Sequence, residues 1–274
     1  MCRVWIALLI LVSFAPPARA SNAAAVPAAQ PRAAPAAQAR FATVVVDAGH
    51  GGDDHGAKGD KGLLEKNLVL DVARRLAKRL EAQGLRVVMT RDADRFVPLA
   101  DRTRIANDAR ADLFVSIHAN ASSLRGVHGI ETFFASLDAS DESARALAQR
   151  ENLAFGEEAA QAAGDPVLAI LGDLLATEHL ADAQEFARMT QRRLATAEAS
   201  RSRGVKQAPF VVLMGVQMPA VLVEVGFLTN SREAGRLGGE SERERLAAGL
   251  AAAVAAFRTR QDARFGVADA QGGR

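Results

Sequence analysis

Short apolar runs alternate with helical patterns along most of the chain. The runs predict strands at residues 41–46, 85–89, 113–117, 129–134, 209–213 and 221–224. Apolar residues at helical spacing predict a helix from about Glu65 to Gln83, a second opened by Pro98 and a closing helix around residues 246–257. Strands that alternate with helices predict an α/β fold, a single domain with a mostly buried mixed sheet flanked by helices.

The alternation stops between residues 140 and 203. Three helical patterns follow one another there, at residues 142–155, 166–175 and 183–197. The second begins with Asp165 as N-cap and Pro166 at the first helical position. An all-helical block inside an α/β chain is best interpreted as an insertion between two strands.

The two ends of the sequence differ in composition from the centre. Residues 1–20 combine Arg3, an apolar stretch and the small-residue site Ala18-Arg19-Ala20, which predicts a secretory signal peptide. The apolar stretch is too short for a bilayer, so we expect no stable membrane insertion after cleavage. An Ala/Pro-rich linker is predicted at 21–40, the folded domain at 41–260 and a disordered tail at 261–274.

Charge adds little about partners. The sequence has 34 basic and 32 acidic residues, and removing residues 1–20 deletes Arg3 and Arg19 but no acid, which leaves 32 of each. No run of Lys and Arg alternates with aromatic residues, so we expect no nucleic-acid partner. A monomer is the expected oligomeric state.

Three residues carry the pattern of a metal site. His50 follows the first strand inside a Gly-rich loop, His118 follows the third strand, and Glu65 begins the first helix. Ligands of open α/β sheets bind at the carboxyl ends of strands, so these side chains are expected to meet. Two imidazoles and one carboxylate form a zinc set with a fourth position for water. The same ligands also suit non-heme iron, so the set alone does not fix the metal.

Glu224 supplies a fourth candidate. It ends the apolar run 220–223, and a carboxylate delivered by a buried strand needs a partner or a chemical role. Zinc would lower the pKa of a bound water to about 7, and Glu224 would take its proton as general base. Taken singly, each histidine could instead make hydrogen bonds in a loop or in the core. Glu65 taken alone could be an acid that stabilises the N-terminus of its helix. Together the four positions favour a site.

Two polar residues flank the candidate ligands. Asp47 precedes His50 and Asn120 follows His118, and either is positioned to orient an imidazole. Asn120 has an equally good interpretation as a turn residue.

Four motifs together resemble a known family. Val-Asp-Ala-Gly-His50-Gly-Gly, the Glu65-Lys-Asn-Leu helix start, Ser-Ile-His118-Ala-Asn and Val-Glu224-Val-Gly-Phe-Leu-Thr-Asn are similar to the zinc-dependent N-acetylmuramoyl-L-alanine amidases that act in Gram-negative cell separation. The resemblance implies a periplasmic enzyme with one Zn²⁺ that cleaves the amide between N-acetylmuramic acid and L-alanine of peptidoglycan. It also implies His50, Glu65 and His118 as zinc ligands and Glu224 as catalytic acid/base.

Glu151 lies on an apolar helical stripe in the insertion, where an unpaired carboxylate is costly. In similar amidases the glutamate of a Glu-Asn pair occupies the open zinc position, and Glu151-Asn152 matches that pair. The resemblance therefore implies autoinhibition, relieved by an activator that in similar amidases is a degenerate LytM-type protein. The alternative is that Glu151 pairs with an Arg. The apolar face of Val167, Ile170, Leu171 and Leu174 is a candidate activator surface, or packs within the insertion.

Two other functions remain open on the sequence. One is another zinc hydrolase of the cell wall, a carboxypeptidase or deacetylase. The other is a non-catalytic wall-binding regulator, which would not need a general base beside a metal.

Overall fold

A computed structural model describes residues 41–59, 62–153, 166–195 and 201–264, with the side chains of 166–178 excepted. All of these residues belong to one compact unit. The strands are β1 Thr43–Ala48, β2 Arg86–Met89, β3 Leu113–Asn120, β4 Ile130–Ala135, β5 Ser202–Ala208 and β6 Ala220–Phe227. The helices are α1 Glu65–Ala82, α2 Leu99–Asp108, α3 Glu142–Leu153, α4 Pro166–Ala195, α5 Val211–Met214, α6 Ser231–Leu237 and α7 Glu240–Arg264.

The six strands form one sheet in the order β2-β1-β3-β6-β4-β5. Strands β2, β1, β3 and β6 are parallel, whereas β4 runs antiparallel to β6 and β5 runs parallel to β4. The carboxyl ends of β1, β3 and β6 therefore lie side by side at the same end of the sheet. The predicted α/β fold with a mixed sheet flanked by helices is confirmed.

Helices cover both faces of the sheet because its strands are apolar on both sides. One face packs against α1, α4 and α7, through side chains such as Leu76, Phe186 and Phe257. The other face packs against α2, α3 and α5, through Ala106, Leu147 and Leu213. In the described part of the chain, no helix combines the length and apolar character needed to cross a membrane.

Two of the predicted strands are longer than the sequence indicates. Strand β3 continues to Asn120 and β6 continues to Phe227, since the pairing between them extends from Phe114 with Ala220 to Asn120 with Phe227. His118 therefore lies inside a paired strand rather than just beyond it, and Glu224 lies inside its strand rather than at its end. Their backbones are held by the sheet, which fixes the positions of both side chains.

The strand predicted at 209–213 is wrong. Residues 211–214 form the short helix α5, and the strand is β5 at Ser202–Ala208, which begins in the last two residues of the stretch assigned to the helical insertion. Strand β5 lies at the sheet edge and carries the charged residues Arg203 and Lys206, so it has no apolar run. The apolar residues Phe210, Val212 and Leu213 instead fill the core below the sheet as a helical turn.

The helical insertion is also built differently from the prediction. The second and third predicted helices are one helix, α4, and its C-terminal half belongs to the main core. Phe186 of α4 is fully buried, and the centroid of its ring lies 5.1 Å from that of Phe257 of α7. This half of α4 is therefore part of the main core, whereas α3 packs on the opposite face of the sheet through Ala144, Leu147 and Ala148.

The boundaries at the two ends fall partly outside the described residues. The closing helix continues through Arg264 and buries Gln261, so the expected tail at 261–274 begins too early. The expected signal peptide and linker, Phe155 and residues 265–274 lie outside the described part of the chain.

Candidate functional site

His50 is presented by a strained turn directly after β1. Its φ of 59° lies in the left-handed region, which non-glycine residues rarely adopt. The carbonyl of His50 accepts a hydrogen bond of 2.9 Å from the buried Arg102, and its Nδ1 lies 2.8 Å from Oδ2 of Asp54. A carboxylate on Nδ1 fixes the ring orientation and leaves Nε2 as the donor for a metal.

Glu65 is fixed at the first position of α1 by two backbone amides. Its Oε2 accepts from the N–H of Ala57 at 2.7 Å, and its Oε1 accepts from the N–H of Ala119 at 2.8 Å. Oε1 also lies 3.0 Å from Nε2 of His50 and 3.2 Å from Nδ1 of His118. The carboxylate is thus held between the two imidazoles.

Glu151 brings a second carboxylate to the same point from α3. Its Oε2 lies 3.3 Å from Nε2 of His50 and 3.2 Å from Nδ1 of His118. His50, His118 and Glu151 form a group of buried potential metal ligands whose donor atoms all lie within 4.8 Å of one another. Sequence reasoning placed Glu151 at this position, and the alternative of a partner Arg is also present, because Nε of Arg150 lies 3.5 Å from its Oε1.

Four of the distances in the cluster match those around a tetrahedral metal ion. Donor atoms bonded to zinc at about 2.0–2.1 Å lie about 3.3 Å apart at the corners of a tetrahedron. The four imidazole-to-carboxylate separations are 3.0, 3.2, 3.3 and 3.2 Å. Nδ1 of His118 and Oε2 of Glu151 are buried and make no hydrogen bond with the described residues, which leaves both available to a cation.

The electrostatics of the cluster favour a positive charge between its members. Burial lowers the pKa of His118, but contacts with Glu151 and Glu65 outweigh this and raise that pKa to about 10. Burial opposes ionisation of Glu151, yet its contacts with both imidazoles lower its pKa to about 2. The carboxylates of Glu65 and Glu151 repel each other unless a positive charge lies between them. Protonated imidazole rings can supply this charge, and so can a divalent metal ion.

Glu224 lies beside this cluster on the neighbouring strand. It pairs in register with His118, its side chain is fully buried, and neither carboxylate oxygen hydrogen-bonds to a described residue. Burial raises its pKa well above the usual value; His118 opposes this rise, and the carboxylates of Glu151 and Glu65 add to it. A buried carboxyl group that has no hydrogen-bond partner among the described residues is suited to exchange a proton with water or a substrate.

The two residues expected to orient an imidazole have other partners. Asp47 accepts hydrogen bonds from Thr90, Arg102 and Ser116 at 2.6–2.7 Å, and the carboxylate on His50 belongs to Asp54. Asp47 thus acts on His50 through Arg102, which binds the His50 carbonyl.

Asn120 contacts the helix that carries Glu151 rather than an imidazole. Its Oδ1 accepts from Arg150 at 2.9 Å, and its Nδ2 donates to Glu131 at 3.3 Å. Asn120 therefore helps to hold α3 in place.

Sequence reasoning missed two supporting residues, Asp54 and Arg102. Asp54 sits four residues after His50 in a loop, where Gly51 and Asp54 exchange backbone hydrogen bonds. Acidic residues are common in Gly-rich loops, so the only sign of this role in the sequence was the position of Asp54 four residues after His50. Arg102 is a charged residue within the irregular apolar pattern of α2. A sequence pattern does not show that its side chain is completely buried.

Comparison with known proteins identifies the family. A sequence profile of the N-acetylmuramoyl-L-alanine amidases matches residues 44–256, which is most of the chain. The chain belongs to the N-acetylmuramoyl-L-alanine amidase family. All the strands but the first residue of β1, and every helix except the end of α7, fall within the matched range.

Relatives within the amidase family match at the level of sequence. AmiA of Escherichia coli K12 is 36% identical over 218 residues, covering 78% of this chain and 75% of AmiA. AmiC of Neisseria meningitidis serogroup B is 36% identical over 217 residues, covering 78% of this chain and 52% of AmiC. The chain therefore spans about half of that second relative.

Solved structures of amidases share the fold. An N-acetylmuramoyl-L-alanine amidase from Clostridium difficile 630 superposes with a TM-score of 0.61 at 29% identity, covering 80% of this chain and 97% of its own. AmiC2 of Nostoc punctiforme superposes with a TM-score of 0.60 at 30% identity, covering 80% and 98%. The resemblance read from four motifs is confirmed at the level of the family.

Proposed function

We propose that this protein is a zinc-dependent peptidoglycan amidase. It hydrolyses the amide between N-acetylmuramic acid and the first L-alanine of the stem peptide. His50, Glu65 and His118 hold the Zn²⁺, and Glu224 is the catalytic acid/base. The observation that carries the proposal is the convergence of two imidazole nitrogens on Oε1 of Glu65, at 3.0 and 3.2 Å, beside the buried carboxyl of Glu224.

Each side chain has a distinct task in this proposal. Zinc, when bound, supplies Lewis acidity for the substrate carbonyl and lowers the pKa of water. Asp54 orients the His50 ring, and the amides of Ala57 and Ala119 hold the Glu65 carboxylate. Glu224 takes a proton from the attacking water and gives it to the leaving nitrogen of the L-alanine. Its buried position keeps that proton from exchanging freely with solvent.

We assign the metal as zinc rather than iron from the type of reaction. Two imidazoles and a carboxylate also suit non-heme iron, but amide hydrolysis involves no change of oxidation state. A metal without redox chemistry is sufficient for it. Metal analysis of the purified protein tests the assignment: one zinc per chain supports it, and iron at that stoichiometry overturns it.

Autoinhibition by α3 is the second part of the proposal. Glu151 occupies the place that a substrate carbonyl or water needs, within 3.2–3.3 Å of both imidazoles. Arg150 holds α3 to Asn120, and Asn152 bonds to the carbonyl of Pro209 and the amide of Val211. These bonds connect α3 to two parts of the fold, so removing Glu151 from the site requires a movement of the whole end of the helix.

An activator is therefore part of the proposed mechanism. A protein that binds the helical insertion can move α3 and expose the zinc, and a LytM-type partner is the candidate that the resemblance supplies. The face of Val167, Ile170, Leu171 and Leu174 lies outside the residues whose side chains are described. We propose the periplasm as the place of action and wall remodelling during daughter-cell separation as the role, with the enzyme acting as a monomer.

The products released from purified sacculi test the reaction. Free stem peptides beginning with L-alanine support an amidase, since a carboxypeptidase releases a terminal amino acid and a deacetylase releases acetate. The zinc-loaded Glu151→Ala protein, which lacks the proposed inhibitory contact, is compared with Glu151→Ala/Glu224→Gln, which keeps the volume and removes the acid/base function. Equal peptide release by the two proteins contradicts the role of Glu224. Sacculus binding by Glu151→Ala without any product supports the wall-binding alternative.

A further inference from the structure

A row of charged side chains crosses four neighbouring strands on the sheet face beneath α3. His118 of β3 pairs with Glu224 of β6, and Glu224 pairs with Glu131 of β4. Opposite Glu131, β5 has a bulge, because Ile130 pairs with Ser202 whereas Thr132 pairs with Val205. The row thus extends from the candidate metal site toward the edge strand.

The bulge in β5 turns Arg203 into the row. Gly204 in the bulge has a φ of 93°, a conformation that a side chain would disfavour. Nε of Arg203 lies 2.8 Å from Oε1 of Glu131, and its guanidinium covers the ring of Phe227 at 5.2 Å. Arg203 is therefore held in a defined position at the end of the row.

Glu131 is surrounded by more positive charge than it can balance. It is buried, and Nζ of Lys206 also lies 2.8 Å from its Oε1. One carboxylate thus faces two cations. The second negative charge comes from Asp141, whose Oδ2 lies 3.1 Å from Nζ of Lys206. The four charges sum to zero only while Asp141 is in place.

Asp141 begins the element that the proposed activation moves. Its neighbour Ser140 is held to Gln207 of β5 by two hydrogen bonds of 2.9 Å, so α3 moves about this point and Asp141 is the first residue beyond it. Asp141 directly precedes α3, and its Oδ1 accepts from the N–H of Ala144 in the first turn of that helix. When α3 moves away, Arg203 and Lys206 keep one uncompensated positive charge next to the row. Their side chains are only 25% and 13% exposed, so solvent screens this charge less than it would on an open surface.

We propose that Arg203 and Lys206 form a subsite for a carboxylate of the stem peptide, which Asp141 occupies while α3 is closed. The inference rests on the proposed amidase function. Adjacent strands lie about 4.8 Å apart, so cations gathered over β4 lie about one strand spacing from Glu224 on β6. A carboxylate one residue beyond the L-alanine lies at a comparable distance from the scissile amide. The subsite would select substrates by the charge of that residue.

Two soluble substrates test the subsite. Muramoyl-L-alanyl-γ-D-glutamate has a free α-carboxylate on its second residue, and the matching α-carboxamide does not. In zinc-loaded Glu151→Ala protein, we expect a preference of about tenfold or more in kcat/KM for the carboxylate, carried mainly by KM. Lys206→Met should bring the ratio toward one. Asp141→Asn retains an N-cap acceptor and should raise the ratio.

Two controls keep the result interpretable. Arg201→Met changes an exposed residue at the start of the same segment and should leave the ratio unchanged. Lys206→Met combined with Glu131→Gln keeps the buried charges balanced, so it separates loss of the subsite from loss of folding. Equal kcat/KM for the two substrates, or an equal loss of both in Lys206→Met, overturns the subsite.

Failure of the amidase proposal has a different signature. If neither substrate is hydrolysed, the reaction is wrong, and the subsite is then tested by calorimetry with the dipeptides L-alanyl-γ-D-glutamate and its α-carboxamide. Tighter binding of the carboxylate form, lost in Lys206→Met, supports the subsite without any turnover. Equal affinities overturn it.

Discussion

Glu151 approaches His118 to 3.2 Å from the opposite side of the site, since Glu151 is carried by α3 and His118 by β3. The contact joins the helix that covers the site to the strand that forms its floor. Whatever displaces α3 must break it, together with the bond between Arg150 and Asn120.

Replacing Glu151 should therefore release the resting enzyme. Loss of a charge-assisted contact costs the closed state about 1.5–3 kcal/mol, which corresponds to a rise of roughly tenfold to a hundredfold in open protein. We expect Glu151→Ala to raise activator-free hydrolysis of dye-labelled sacculi by that order. Glu142→Ala is the matched control, because Glu142 begins the same helix with an exposed side chain. Unchanged basal hydrolysis in Glu151→Ala contradicts autoinhibition.

Asp54 should matter for metal affinity rather than for folding. Its carboxylate orients the His50 ring from 2.8 Å, and loss of such a partner typically weakens metal binding by about 10–100-fold. Competition with a chromogenic chelator measures the zinc dissociation constant of Asp54→Asn. The neighbouring Asp53→Asn is the control, since Asp53 is exposed. Equal zinc affinity in the two variants would remove Asp54 from the account.

Gly49 leaves the space in which the His118 ring lies. A Cβ at this position would come within 2.4 Å of Cε1 of His118, so Gly49→Ala must push the ring out of place. We expect zinc binding to weaken strongly while the helical content measured by circular dichroism is retained. Gly235→Ala is the control, because a Cβ there meets nothing within 4 Å. Full zinc affinity in Gly49→Ala would show that His118 is not a ligand.

The buried pair of Asp47 and Arg102 should dominate local stability. Breaking such a pair leaves an uncompensated charge and costs about 3–5 kcal/mol, so Arg102→Met should unfold at a clearly lower urea concentration. Burial raises the pKa of Asp47, but Arg102, Thr90 and Ser116 outweigh burial and lower it.

The lowered pKa of Asp47 fixes the sign of the pH dependence. A carboxyl whose pKa is lower in the folded state stabilises the fold above its unfolded pKa of about 3.9, and this stabilisation is lost as the pH falls through the folded value. The difference in unfolding free energy between wild type and Asp47→Asn should thus be full at neutral pH and shrink in strong acid. A difference that grows on acidification contradicts the assignment.

The elements that local sequence patterns encode, and the residues at their ends, were mostly predictable. The convergence of His50, His118 and Glu224 was predictable because apolar runs lead toward all three, and that of Glu65 because it begins a strongly periodic helix. Strand β5 was missed because Arg203 and Lys206 interrupt it, and their partner Glu131 lies far away in the chain. A long-range charge network leaves no periodic signal, so only the fold brings these residues together.

The roles of Asp47 and Asn120 could not be read from their positions beside the ligands. The partner of each was decided by a different element of the fold. Arg102 reaches Asp47 from α2, and Arg150 reaches Asn120 from α3. In both cases the polar residue near the candidate ligands binds an arginine of a helix and so helps to hold that helix against the site.

The most direct test of the account compares Glu151→Ala with the double variant Glu151→Ala/Glu224→Gln, measuring zinc content and the peptides released from sacculi in the same preparations. The account predicts one zinc in both proteins, free stem peptides beginning with L-alanine from the first, and a loss of at least about a hundredfold in the second. Equal peptide release by the two proteins, at equal zinc content, would contradict the central role assigned to Glu224.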